Sequence, residues 1–354
     1  MIAFRESIRH YFLIYFLLLQ IIVVQLLSFF PQVIEEVYSN GIYVYSSNFF
    51  RIVLGWIGFS VGDIIYGVVI AYLIFKIIKT RKSITFKSSV INVLKGFSIF
   101  YFLFNLMWGL NYYRVPLSEK MNLTYEYSFE DLLLFTDKMI EKSNALHLEI
   151  VADDSLKVVN PYSTNEIYQR AQHSYNLLSE KYPEFTYINH SVKSSLISTP
   201  LSYMGFGGYM NPFTGEAQVN YLLPKYLFPT TTLHEMSHQI GYASESEANF
   251  VGYLASVNSE DVYFRYSGTI FALRYCLRNI EKFNPDLIEE YLSKVNPGIR
   301  LNFLETEEFW EEYETPIERF FEIFYDTFLK ANSQEEGLES YSKFVGLLIS
   351  YESR

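Results

Sequence analysis

Three apolar runs near the start of the chain decide most of what it can become. Tyr11 to Phe30 carries no charge over twenty residues, enough as a helix to cross the ~30 Å hydrocarbon core of a bilayer. A second run covers residues 56–75 and a third covers 96–112. In lipid the backbone must satisfy its own hydrogen bonds, so such runs are read as helices. Arg5 and Arg9 precede the first run, as in a signal peptide. The run is too long for one, however, and no small-x-small cleavage site follows, so it is read as a retained anchor.

The link between the second and third runs holds Lys76, Lys79, Arg81, Lys82, Lys87 and Lys95. The positive-inside rule places that link, and the N-terminus, in the cytoplasm. Three crossings then put everything after Tyr113 outside the cytoplasmic membrane. The division expected is a transmembrane region, 1–113, and an extracytoplasmic domain, 114–354. Residues 31–50, with Tyr38, Tyr43 and Tyr45, read as an exposed loop with interfacial aromatics. Asp63 and Asn105 fall within apolar runs, where a polar group is a functional candidate by default. The glycines at 55, 58 and 62 leave room for Asp63 at the outer interface instead.

Charge is uneven. Residues 1–112 hold nine Lys/Arg against four Asp/Glu, a balance of +5 that leaves −16 for the rest of a total of −11. An acidic domain of this kind argues against nucleic acid as a partner. One cysteine, Cys276, excludes an internal disulfide and a cysteine metal cluster. It reads as a small buried hydrophobe.

The chemistry concentrates at His234-Glu235-Met236-Ser237-His238, a His-Glu-x-x-His motif. Histidines four apart share a helix face and can bind one metal ion, and Glu235 beside the first is placed to take a proton from water at that metal. Thr230 to Thr232 read as an N-cap and Gly241 as a stop. Hydrolytic zinc usually takes three protein ligands and keeps one position for water. A histidine six residues after His238 is absent, since Ser244 stands there. Glu245 and Glu247 are the nearest candidates. They lie about 200° apart around a helix, so only one can face the metal. Asn249, one turn beyond Glu245, can hydrogen-bond the far nitrogen of a ligand histidine. Glu247 has Val251 at the equivalent place, so Glu245 is preferred and Glu247 is the alternative.

Glu245-Ser246-Glu247-Ala248-Asn249, following His-Glu-x-x-His, resembles the Glu-x-x-Ala-Asp of membrane-bound zinc proteases that include the CaaX prenyl proteases and their bacterial heat-shock relatives. These belong to the gluzincins, which use a glutamate as third ligand. Asn249 stands where they carry Asp, and the interval between the two helices is shorter here. A fuller resemblance is to an uncharacterised bacterial family of membrane-anchored proteins known as a domain of unknown function. It is carried by Asn111-Tyr112-Tyr113-Arg114, by residues 211–216 (Asn-Pro-Phe-Thr-Gly-Glu), by residues 234–250 and by residues 325–332. The architecture expected is mainly α: the three apolar runs as a bundle of transmembrane helices, followed by what the gluzincin likeness implies, an α+β zincin-like domain with a small sheet beside the motif helix. In those proteases an edge strand pairs with an extended substrate backbone, and the strands here read equally as such an edge or as an ordinary hairpin packed under the motif helix.

Apolar spacing predicts helices over 129–148, 165–181, 260–282, 285–295, 305–329 and 338–351. Ser194 to Ser198 and Ala217 to Tyr221 read as strands, with a turn at Gly205 to Gly208. His147, His173 and His190 read as surface or capping residues. The expectation is a membrane-anchored zinc metallohydrolase, a peptidase acting on peptide or protein near the membrane surface, with lipid around its anchors. Zinc would sit on His234, His238 and Glu245, and Glu235 would act as general base. The rival is a non-catalytic scaffold or sensor with structural zinc.

Overall fold

The structure, a computed structural model, describes residues 2–80, 85–332 and 341–354. Arg81, Lys82 and residues 338–340 therefore lie outside the described residues, as do the side chains of Arg5 and Arg9. The chain is mainly helical, with one small three-stranded sheet.

Helix α1, Ile2–Leu27, ends just short of the expected first span. A bend of 101° leads into α2, Pro31–Gly55. Its middle, Ile34–Ile42, is wound as a π-helix. This segment was expected as an exposed loop and is instead helical. Its inward face is largely polar, with Glu35, Ser39, Ser47 and Arg51 all buried, while Val37, Phe49 and Ile52 point outward. Polar groups share that inward face with Ile34, Tyr38 and Tyr43, which blurs the amphipathic pattern, and the sequence reads as a loop.

Helices α3, Val61–Thr80, and α4, Phe86–Met107, are each long and apolar enough to cross a membrane. The bent α1–α2 pair makes a third if counted as one span. Helix α3 begins five residues after the expected Trp56. Helix α4 begins ten residues before the expected Gly96, because Thr85 and Ser88 form a capping box that starts it ahead of Lys87 and Lys95. Residues Gly109–Tyr113 leave the helix as a 3-10 turn. Gln20 of α1 donates to Ser98 Oγ of α4 at 3.2 Å, so these two pack directly. Helix α3 meets α4 through Phe213, whose ring lies against Tyr66 and Phe100.

Beyond Tyr113, helices α5 (Phe129–Val151) and α6 (Thr164–Lys181) each open with a Ser capping box, closed by Asp131 and Glu166. Strand β1, Val192–Ser194, begins two residues before the strand expected at Ser194 to Ser198, the last residue of which opens a short helix, α7, Ser198–Tyr203. Strands β2, Gly208–Met210, and β3, Ala217–Val219, complete the sheet in the order β1-β3-β2. Strand β1 runs parallel to β3 and β2 antiparallel, so β2 is an edge. Helices α8 (Phe228–Gln239), α9 (Glu245–Val257) and α10 (Val262–Phe283) form the centre of the domain. Leu132, Tyr175, Leu233, Phe250, Leu273 and Cys276 are fully enclosed in its core. The helix expected over 305–329 is two: α11, Pro297–Tyr313, and α12, Pro316–Ala331. Thr315 caps the second and Pro316 opens it. The last helix, α13, spans Tyr341–Glu352.

Candidate metal centre

Helix α8 starts at Phe228 with Pro229 in its first turn, so the threonines expected as its cap lie inside it. Thr230 is buried and bonded to Ser256 and Ser267 of the neighbouring helices. The far end meets the membrane part. The carbonyls of His238 and Gln239 accept from Tyr43 OH (3.3 and 3.0 Å), that of Gln239 also from Ser47 Oγ (3.3 Å), and that of His238 from Trp108 Nε1 (3.4 Å). These donors satisfy groups that every helix end leaves open. Gly241, at φ +90°, turns the chain towards α9, a conformation that favours glycine. Arg114 Nη1 donates to its carbonyl at 2.9 Å.

One helical turn separates His234 from His238, and their rings meet edge to face with centroids 4.8 Å apart. From α9, Glu245 reaches both: Oε2 is 3.3 Å from His234 Nε2 and Oε1 is 3.6 Å from His238 Nε2. Ligand-capable atoms of His234, Glu235 and His238 also lie within 4.8 Å of one another. Two imidazole nitrogens and a carboxylate make a donor set suited to zinc. His238 Nδ1 lies 2.7 Å from the carbonyl of Tyr242, which fixes Nδ1 as the protonated nitrogen and leaves Nε2 free to bind. Nδ1 of His234 and Oε2 of Glu235 are buried without a hydrogen-bond partner. Asn249 stands beside the His234 ring and favours its charged form.

Glu247 turns the other way. It accepts from Leu117 N at 2.6 Å and faces the Arg114 and Lys120 charges. The two glutamates thus divide as helix geometry requires, one towards the histidines and one towards the membrane-proximal chain.

Electrostatics separate the groups sharply. Loss of water pushes Glu235 up to about 8, helped by the Glu245 charge and opposed by His234. Burial also works to raise Glu245, but His238, His234 and the Tyr325 hydroxyl hold it down at about 2. Burial takes His238 down to about 4, against the pull of Glu245. Carboxyls pushed so far apart at one place mark a functional candidate.

Several residues around the centre carried no assigned role in the sequence. Tyr325 of α12 donates to Glu245 Oε1 at 2.5 Å. Trp108 stands edge-on to the His238 ring at 6.1 Å. Gly208 of β2 lies so close to Glu235 that a Cβ there would fall 2.6 Å from its Oε1. Tyr325 opens one of the stretches that carry the family resemblance and Trp108 stands three residues before another, the signal in the sequence that points to them.

The other candidates lie away from the centre. His147 is buried rather than exposed, 2.8 Å from the Leu156 carbonyl and 3.1 Å from Asn296. His173 pairs with Glu260 at the surface, and His190 is exposed. Asp63, in the first turn of α3, accepts from Ser195 Oγ (2.9 Å), from Leu196 N (2.7 Å) and from Tyr209. It ties the head of a span to the sheet. Asn105 bonds the Tyr101 carbonyl of its own helix.

No curated protein and no solved structure matches this chain. A family model described as "Protein of unknown function (DUF3810)" matches residues 38–349, from α2 through α13, and the chain belongs to that family.

Proposed function

We propose that this protein is a membrane-anchored zinc-dependent metallohydrolase, a peptidase, built on a gluzincin-like site. The observation that carries the reading is that the two oxygens of Glu245 lie 3.3 Å from His234 Nε2 and 3.6 Å from His238 Nε2, beside Glu235, whose buried Oε2 has no hydrogen-bond partner. His234, His238 and Glu245 would hold zinc. When bound, the ion supplies Lewis acidity, bringing the pKa of a water towards about 7 and polarising a carbonyl. Glu235 takes the water proton on its free oxygen and returns it to the leaving amine. Its Oε2, buried without a hydrogen-bond partner, is free to take that proton and pass it on.

Substrate alignment falls to β2. Gly207 O and Asn211 N bond to β3, so by antiparallel alternation the backbone of Gly208 and Met210 faces the open edge. An extended peptide pairing there runs past Glu235. This supports a zincin-like arrangement of the domain and a polypeptide substrate. With the basic link between α3 and α4 in the cytoplasm, the centre faces outwards, next to the membrane surface.

Glu235→Gln tests the reading. The full chain in lipid, supplied with a peptide library, should lose turnover in this variant while keeping its zinc. Undiminished cleavage by Glu235→Gln removes the proposed base from the mechanism.

A further inference from the structure

Two helices far apart in sequence meet α4 over its final turns. Tyr38 of α2 donates to the Leu106 carbonyl at 3.1 Å. Phe328 of α12 stands edge-on to Phe104, with centroids 5.9 Å apart. Tyr38 and Phe328 therefore sit at one level, the end of the span nearest the candidate centre. The 101° bend before α2 turns it across the direction of α1.

Helix α12 divides into three faces. Leu329 is fully buried, and Phe328 and Tyr325 pack inward against Tyr112 and Phe206. Arg319, Glu322, Asp326 and Lys330 follow helical spacing along a second, charged stripe, with Lys330 and Asp326 paired at 2.8 Å. Ile317, Phe320, Ile323 and Phe324 form the third face and are 55, 64, 61 and 57% exposed. Apolar side chains this exposed and contiguous mark a docking surface.

The position of the patch identifies its occupant. Phe328, on the inward face of α12, packs on Phe104 of α4, whose Phe100, Leu103 and Leu106 are exposed, and α2, bonded to the same turns through Tyr38, leaves Val37 uncovered. A helix with one apolar and one charged face at the end of a span lies in the plane of the membrane interface. We propose that α12 is an interfacial helix, with Ile317, Phe320 and Phe324 immersed in the phospholipid bilayer. Tyr325, one residue after Phe324, then roofs the centre from the lipid side. If the hydrolase reading holds, substrates reach Glu235 along the bilayer surface. The lipid contact itself does not depend on that reading.

Nitroxide labels on single cysteines introduced at positions 319, 320, 322 and 324 test this in the full chain, reconstituted in vesicles of phosphatidylcholine and phosphatidylglycerol. The native Cys276 is buried and does not compete for label. A label at position 70, midway along α3, calibrates lipid contact. Labels at 320 and 324 should resemble that at 70, with oxygen access kept and access to a water-soluble nickel chelate lost. Labels at 319 and 322 should keep nickel access. Nickel access at 320 and 324 equal to that at 319 and 322 overturns the proposal. So does loss of both oxygen and nickel access at 320 and 324, which would mean that protein covers the face.

Discussion

Tyr325 OH lies 2.5 Å from Glu245 Oε1, so helix α12 holds a carboxylate that comes within 3.6 Å of both histidines of α8. Burial and the Glu245 charge keep that hydroxyl protonated, well above its ordinary range, so it remains a donor. Tyr325 is a positioning residue in this account. Phe at 325 keeps the ring against Phe206 and removes only the donor. Tyr325→Phe should weaken zinc binding roughly 10- to 100-fold, as loss of a partner to a metal ligand commonly does. Competition with a chromophoric chelator measures it, and unchanged affinity argues against the role.

Gly208 packs against the proposed base. A Cβ there would meet Glu235 Oε1 at 2.6 Å and the Gln218 carbonyl at 2.7 Å, so β2 or the carboxylate must move. Gly208→Ala should keep zinc while turnover falls on the order of 10²-fold, the scale of a misplacement near 1 Å. Loss of zinc together with turnover would instead mean that the whole site had collapsed.

The membrane-proximal chain is locked to the centre through charge. Glu35 accepts from Arg114 Nε at 2.8 Å and from Lys120 at 2.7 Å, and Arg114 also holds the Gly241 carbonyl. Burial works to raise the Glu35 pKa, but Arg114 and Lys120 bring it down from 4.5 to about 2. A depressed folded-state pKa stabilises fully above the unfolded value and less as pH falls. Glu35→Gln should therefore cost stability at neutral pH, about 3–5 kcal/mol for a broken buried pair. The melting-temperature gap to the wild type should close between pH 4.5 and about 2. A gap constant across that window would contradict the assignment.

His147 offers a test of a corrected expectation. Read as a surface residue, it would be replaceable within about 0.5 kcal/mol. Enclosed between the Leu156 carbonyl and Asn296, it should cost about 1–3 kcal/mol when replaced by Leu, because both partners lose their bond. Thermal unfolding in detergent distinguishes the two.

The sequence discloses what is local. An uncharged run needs no partner to be read as a span, and residues four apart share a helix face wherever the helix sits. The side of α9 that carries Glu245 is likewise set by spacing. Helix α2 escapes such reading because its polar residues are bound inward to the domain. The end of one helix at Tyr313 and the start of the next at Pro316 are hidden by continuous apolar spacing, although Thr315-Pro316 is a start signal. Tyr325 is out of reach for another reason. It is one of 31 tyrosines, and only the folded chain brings it to Glu245.

The central claim is that His234, His238 and Glu245 hold one zinc ion, and elemental analysis of the purified full chain tests it most directly. Wild type, Glu245→Gln and Glu247→Gln would be compared after zinc is supplied during purification. Glu247→Gln retains an acceptor for Leu117 N, so it should fold. About one zinc per chain is expected in the wild type and in Glu247→Gln, with loss in Glu245→Gln. A wild type without zinc, or a Glu245→Gln variant that retains it fully, contradicts the account.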